Sequence, residues 1–375
     1  MEPFKNLIDA QTVRDAAFHL ARVWPAFPRR RFETLARAGL DGLEFKARAL
    51  HLSAALEACL PEDFARAADI LEASLGPPGD NNALGELRTT RAGLAGWVIW
   101  PMTEWVARRG LAFPERALLA LRAMTQRSTA EFAIRPFIER YPDLSFAILR
   151  CWTRDPSAHV RRLVSEGSRP RLPWGMRFKD LIADPTPTLP LLLALQDDAT
   201  EYVRRSVANH LNDIAKDHPA VVAAWLEQHL PGAPPQRAAL LKHASRTLIK
   251  KGDPRTLKAW GLAQGLRGDA QLKLSKRRIA LGETVELKVM LRSNASRRQK
   301  LAIDYTVHHQ KANGSTTPKV FKGWTLDLAP HEQRELRKTH SLRPVTTRRY
   351  HAGRHRIELK INGRPVAESA FELRL

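Results

Sequence analysis

Residues 159–174 read HVRRLVSEGSRPRLPW, in which Arg161, Arg162, Arg169 and Arg171 surround one carboxylate, Glu166. Guanidinium groups suit phosphate because their planar forks donate two hydrogen bonds at once. A polyanion held by these arginines would repel an acid in the same stretch. Glu166 therefore makes sense if it serves a positive charge of its own. The plainer reading is a helical salt bridge, since Arg162 and Glu166 are four residues apart and such pairs contribute ~0.2–0.5 kcal/mol.

Two more acids stand out. In YVRRSVANHLNDIAKD, Val203, Val207, Leu211 and Ile214 form an apolar stripe, while Arg205, Asn209 and Asp213 lie along another line. Asn209 and Asn212 are poor helix formers, and their cost suggests a use. Upstream, Glu131 in QRSTAEF stands three residues after Ser128, the spacing of a capping box, which is an equal reading for it. Trp174 follows Pro173 and has a core aromatic as its alternative reading.

Helices must position these groups. Stretches such as RALHLSAALEACL, EDFARAADILEASL and ERALLALRAMTQR carry the i, i+3, i+4, i+7 apolar stripe. DPSAHVRRLVSE (155–166) aligns with DATEYVRRSVAN (198–209) at a displacement of 43 residues, and a more apolar helix precedes each copy, LSFAILRCW and TLPLLLALQ. Two helices per ~40–47 residues is the HEAT or armadillo period. Arg161 and Arg162 fall on Arg204 and Arg205, so stacked repeats would stack the arginine pairs into a ladder. The alternative is that one arginine of each pair binds Asp155 or Asp198 and laces the repeats together.

The chain changes character near residue 268. QLKLS, TVELKVML, LAIDYTV, RIELKI and AFELRL alternate with period two, and Asn313-Gly314 and Asn362-Gly363 punctuate them; the second pair reads as a two-residue hairpin turn. About seven short strands predict an immunoglobulin-type sandwich. The expected fold is an α-solenoid of HEAT-like repeats over residues 1–268, followed by an all-β sandwich over 269–375, with GLAQGLRGD as the hinge.

The net charge is +22, from 61 Lys and Arg against 39 Asp and Glu. Residues 269–375 hold 23 Lys and Arg against 10 acids, so the smaller domain carries +13 of that total. Such a balance implies a polyanionic partner. Basic clusters at Lys276-Arg277-Arg278, Arg297-Arg298 and residues 343–356, which include Arg348, Arg349, Arg354 and Arg356, are expected in loops that clamp a polyanion such as DNA, RNA or anionic lipid. No apolar run approaches the ~20 residues of a membrane span. The stretch MEPFKNLIDAQTVRD lacks the pattern of a signal peptide. Cys59 and Cys151 have no metal-ligand spacing, and no Gly-rich phosphate loop appears. Neither metal nor cofactor is expected, and a reducing cytoplasm fits.

Four stretches, LPEDFARAADILEASLGP, QRSTAEFAIRPFIERYPD, HVRRLVSEGSRPRLPW and DPTPTLPLLLALQDDATEYVRRSVANHLNDIAKDHP, resemble the AlkC branch of the alkylpurine DNA glycosylases, within the HEAT-like-repeat superfamily. The resemblance covers most of residues 1–260, and some members of the family add an immunoglobulin-like module. It implies a monofunctional enzyme of base excision repair, monomeric and nucleoid-associated in a bacterial cytoplasm. Its partner would be double-stranded DNA with alkylation damage. The implied reaction hydrolyses the N-glycosidic bond of cationic bases of the 3-methyladenine type, without drawing the base into a deep pocket.

By matching motif, Glu166, Asp213 and Glu131 become the candidate catalytic acids, set against an oxocarbenium-like sugar cation. Trp174 becomes the candidate lesion contact. Arg161, Arg162, Arg169, Arg171, Arg204 and Arg205 become candidate phosphate ligands. The competing readings are a non-catalytic HEAT scaffold for nucleic acid, which leaves the three acids unexplained together, and a protein adaptor, which leaves the charge unexplained. A lyase activity is not expected, because no lysine is singled out near the acids.

Overall fold

The computed structural model describes residues 4–79, 84–345 and 348–375, so the start of the amino-terminal stretch and two positions of the 343–356 cluster lie outside the described residues. The chain packs as two compact units, Met1–Asp217 with Pro234–Ala244, and His218–Ala233 with Ser245–Leu375.

The first unit is a HEAT-like stack of helices. Its helix starts carry local signals. The Asp9 carboxylate accepts from the Thr12 amide at 2.9 Å, and Thr12 Oγ1 accepts from the Asp9 amide, which caps Ala10–Val23. Proline opens Pro114–Thr125 and Pro142–Trp152, where a missing N–H costs nothing. The repeat is visible in the bonding. Helices Ala158–Gly167 and Glu201–Asp217 bury Val160 and Val164, and Val203, Val207, Leu211 and Ile214, as the stripe required. Asp155 and Asp198 each accept the amide two residues on, from Ser157 at 2.8 Å and Thr200 at 2.9 Å. Arg161 and Arg204 each reach back to the carbonyl of their own repeat's aspartate, at 2.7 and 2.5 Å. Each aspartate also receives an arginine from the helix pair before it: Arg122 Nε lies 2.7 Å from Asp155, and Arg161 Nε lies 2.6 Å from Asp198.

In the second unit, helices Pro219–His229, Arg246–Lys251 and Pro254–Ala259 accompany eight strands. These are β1 (Gly268–Leu274), β2 (Arg278–Ala280), β3 (Thr284–Ser293), β4 (Gln299–Gln310), β5 (Thr316–Leu328), β6 (Gln333–Ser341), β7 (Gly353–Ile361) and β8 (Arg364–Arg374). They form a three-stranded sheet, β1-β3-β6, and a five-stranded sheet, β2-β8-β7-β4-β5. The core is the alternating inward set, including Val285, Leu287 and Val289 of β3, Ile303 and Val307 of β4, and Ile357 and Leu359 of β7. Asn362 and Gly363 both have positive φ, 50° and 75°, and pair Ile361 with Arg364 as a two-residue hairpin.

The expected hinge is tied down. Asn362 Nδ2 donates to the Gln264 carbonyl at 2.8 Å, and Leu262 is buried with Ile249, Leu257 and Ala302. An apolar cluster and a fixed turn thus join the last helices to the five-stranded sheet.

Candidate active site

The three candidate acids stand in one row of charges in the first unit. Glu131 lies in the turn before helix Arg135–Arg140, Glu166 near the end of Ala158–Gly167, and Asp213 in the last third of Glu201–Asp217. Arg162 Nη1 donates to Glu131 Oε2 at 2.8 Å, and its Nη2 lies 3.9 Å from Glu166 Oε1. Arg169 joins the other two, with Nη1 2.5 Å from Glu166 Oε1 and Nε 2.8 Å from Asp213 Oδ2. Lys216 Nζ closes the row on Asp213 Oδ1 at 2.8 Å. Acid and base alternate along it, so three carboxylates and three cations offset one another.

Burial makes this row unusual. Glu166 is 5% exposed and Asp213 is 1% exposed. Burial opposes the charge on Glu166, yet Arg162 and Arg169, with the Ser206 hydroxyl 2.6 Å from Oε2, hold its carboxyl below the usual carboxylate range. Removing one partner of a buried pair leaves a charge uncompensated, at a cost of about 3–5 kcal/mol.

Neighbouring groups were not singled out by the sequence. Ser206 occupies the repeat position that Leu163 fills in the first copy, and that polar replacement is the signal that could have found it. His210 is buried, with Nδ1 2.9 Å from the Ser165 carbonyl oxygen, which places its proton on Nδ1; burial pulls its pKa down to about 4. The Tyr202 ring lies 5.2 Å from the Arg162 guanidinium carbon, and burial pushes its phenol up to about 12.

The loop that follows helix Ala158–Gly167 carries Arg169, Arg171 and Trp174, and Arg135 holds it from inside. Arg135 Nη1 donates to the carbonyls of Gly167 and Arg169 at 2.7 and 2.9 Å, and Nε donates to that of Met176 at 2.9 Å. Gly167 allows the close approach: a Cβ there would lie 2.6 Å from Ile134 Cγ2. Trp174 has φ 62° and is 76% exposed, which sets aside the reading of a core aromatic.

Several expectations are corrected. Glu131 does not form a capping box with Ser128; its carboxylate accepts from Thr129 Oγ1 at 2.8 Å and from Arg162. The Arg162–Glu166 spacing is the weaker contact of both residues, because each has a nearer partner across the stack. The arginine ladder is not a row of open forks. Arg161 and Arg204 brace the repeats, Arg162 and Arg169 are held by acids, and Arg171 is bidentate on Asp217 at 2.7 Å. Among the described residues, Arg205 alone of these six has an exposed side chain without an ion pair.

A lysine does stand at the acids, since Lys216 follows Asp213 by three residues on one helix face. In the second unit Arg354 and Arg356 lie on β7, not in a loop, because the alternation of RHRIEL continues the strand to Gly353. Arg356 pairs with Glu368 at 2.8 Å and Arg348 reaches His309 at 2.7 Å, whereas Arg349 and Arg354 are exposed. No group of three or more His, Cys, Asp or Glu that could hold a metal occurs among the described residues. No helix among them is long and apolar enough to cross a membrane.

Over residues 269–375 the chain matches the family model described as the C-terminal Ig-like domain of the uncharacterised protein YhaZ. It is 34% identical over 365 residues to the uncharacterized protein YhaZ of Bacillus subtilis (strain 168), covering 97% of each chain. A solved structure of Pseudomonas fluorescens alkylpurine DNA glycosylase AlkC, bound to DNA containing an abasic site analog, matches over 100% of both chains at 34% identity, with a TM-score of 0.90. This chain belongs to the AlkC family. Both units share in that likeness, because the match runs the full length of each chain.

Proposed function

We propose that this protein is a DNA repair glycosylase that hydrolyses the N-glycosidic bond of cationic alkylated bases of the 3-methyladenine type. The observation that carries the reading is that one buried arginine, Arg169, joins two buried carboxylates, Glu166 and Asp213, beside the loop of the exposed Trp174. The AlkC relative bound to abasic DNA supports it.

An alkylated purine already carries positive charge, so it leaves with the bonding electron pair as a neutral base and needs no general acid. Positive charge passes to the deoxyribose as the C1′–N bond breaks. A carboxylate fixed near the sugar stabilises that cation, an effect worth ~10²–10³ in rate for one well-placed group. Water then adds to C1′ and gives its proton to a base, for which the carboxylates are candidates. Because Arg162, Arg169 and Lys216 hold the acids, no reorganisation is needed as charge develops. Trp174 offers a π face to the alkylated nucleotide, and the lesion need not enter a closed pocket. Residues 1–268 would form the glycosylase domain and 269–375 the DNA clamp, the protein acting as a monomer in a bacterial cytoplasm.

The test is release of free base from methylated DNA, followed by chromatography. Glu166→Gln and Asp213→Asn should each slow release by about 10²-fold or more, with duplex affinity within a few-fold of wild type. Wild-type rates in both variants would remove the catalytic assignment. Lys216 adds a second readout. Its ammonium is tied to Asp213, so borohydride should trap no protein–DNA adduct; a trapped adduct lost in Lys216→Gln would make the enzyme a lyase as well.

A further inference from the structure

Beside Trp174 the first unit opens a cleft of about 760 Å³, walled by Phe45, Trp100, Phe132 and Trp174. Three of these rings touch in series: Phe45 and Trp100 have centroids 5.1 Å apart at 66°, and Trp100 and Phe132 are 5.6 Å apart at 32°. Phe4, Leu50 and Met176 extend the apolar surface and are exposed. In a chain of net charge +22, the lining balances Lys46 with Glu44, which is itself paired with Lys5 at 3.3 Å, and leaves Glu104 as a carboxylate without an ammonium partner among the described residues. Trp100 Nε1 donates to Glu104 Oε1 at 2.8 Å, which fixes that carboxylate and leaves its second oxygen able to accept.

These features select a ligand class. The Glu104 carboxylate against the aromatic wall disfavours phosphate at that wall. Aromatic walls favour a flat ring, stacked or edge-on, at about 0.5–1.5 kcal/mol per ring contact beyond burial. A carboxylate that accepts hydrogen bonds suits an exocyclic amino group. The volume is that of a small-molecule site. The cleft also adjoins the acid row along the chain, since Phe132 follows Glu131, and Trp174 and Met176 share the loop of Arg169.

We propose that this cleft is a binding site for a free N-alkylated purine base, held flat against Trp174 with its amino group on Glu104. Its place in the reaction is that of a product site, which receives the base once the glycosidic bond is cut. The source of the base rests on the glycosylase reading above. The affinity of the cleft for a purine does not depend on it.

Equilibrium dialysis of the full chain with radiolabelled 3-methyladenine, without DNA, tests the proposal. Saturable binding is expected, competed by unlabelled 3-methyladenine and not by inorganic phosphate or deoxyribose 5-phosphate. Trp174→Ala, at an exposed position, should weaken binding at least tenfold. Glu104→Gln keeps the bond to Trp100, removes the charge and should weaken binding several-fold. Absence of saturable binding to wild type, or binding unchanged in both variants, overturns the proposal. Base release measured on the same preparations separates the two readings. Excision without binding of the free base rejects the product site alone, whereas binding without excision rejects the glycosylase reading and keeps the site.

Discussion

The guanidinium carbon of Arg135 lies 3.7 Å from the ring centre of Phe178. Arg135 is 1% exposed, and its nitrogens serve the carbonyls of Gly167, Arg169 and Met176. Burial, with the like charge of Arg169, pulls its pKa down to about 10, a cost accepted where the loop must be fixed. Arg135→Met would leave several buried carbonyls without donors and should cost about 3 kcal/mol or more. Single-turnover base release should fall by about 100-fold, the scale of a misplaced reacting group, and duplex affinity much less. Phe178→Leu should shift the rate in the same direction at smaller cost. Equal losses of rate and affinity in both variants would make the contact structural only.

The arginine pairs give a contrast across the two copies of the repeat. Arg161 is bonded to Asp198 and to the Asp155 and Pro156 carbonyls, whereas Arg205, which falls on Arg162 in the next copy, is exposed. Arg161→Ala should lower the melting temperature and leave the salt dependence of DNA binding unchanged. Arg205→Ala should do the reverse, reducing the slope of log affinity against log salt by roughly one. A slope change in Arg161→Ala with no loss of stability would reverse the assignment.

The repeat was legible because Asp155 and Asp198, and the valines after them, answer the same local demands twice. Asn362-Gly363 was legible because both residues tolerate the positive φ that its turn requires. Three strands were not legible. β5 and β6 bury little on either face, and β6 reads QRELRKTHS, while β2 has only three residues, so period-two contrast is weak in all three. The acids were found as types and positions, but their pairing was not. Arg169 and Asp213 are 44 residues apart, and nothing local distinguishes an arginine on a carboxylate from one open to phosphate. Arg135 was missed for the same reason, since its partners are backbone carbonyls that carry no sequence signal.

Three buried histidines predict acid sensitivity in both units. Burial lowers His210 and His340 to about 4 and His309 to about 3, from an ordinary 6.5. Below the ordinary value the unfolded chain binds protons that the native chain refuses. Stability should therefore be full above pH 6.5 and fall as pH drops toward 4, by about 1.4 kcal/mol per pH unit for each group. The depressed Glu166 adds a loss only at lower pH, once its carboxylate takes a proton. Melting temperatures across this range check the sign. His340→Gln keeps a partner for the Tyr305 hydroxyl, which lies 3.1 Å from His340 Nδ1, and should flatten the dependence. A melting temperature that holds constant down to pH 4 would contradict the assignment.

The last prediction concerns the basic second unit. Truncation at residue 268 is a poor test of a DNA clamp, because it strips Ala302 from the cluster of Ile249, Leu257 and Leu262. Charge reversal is cleaner, and the structure says which positions to use. Arg348 and Arg356 have partners in His309 and Glu368, so changing them would disturb the sandwich itself. Arg349 and Arg354 are exposed, and neither has an ion pair among the described residues. Arg349→Glu with Arg354→Glu should leave the melting temperature within about a degree or two, as expected of surface changes within ~0.5 kcal/mol. If these residues meet DNA phosphate, affinity should fall at least tenfold and the salt slope should shrink by roughly two. Base release should fall at subsaturating protein and recover at high protein, since the acids are untouched. A double variant with wild-type affinity and slope would remove this face from the DNA and require another polyanionic partner for its charge.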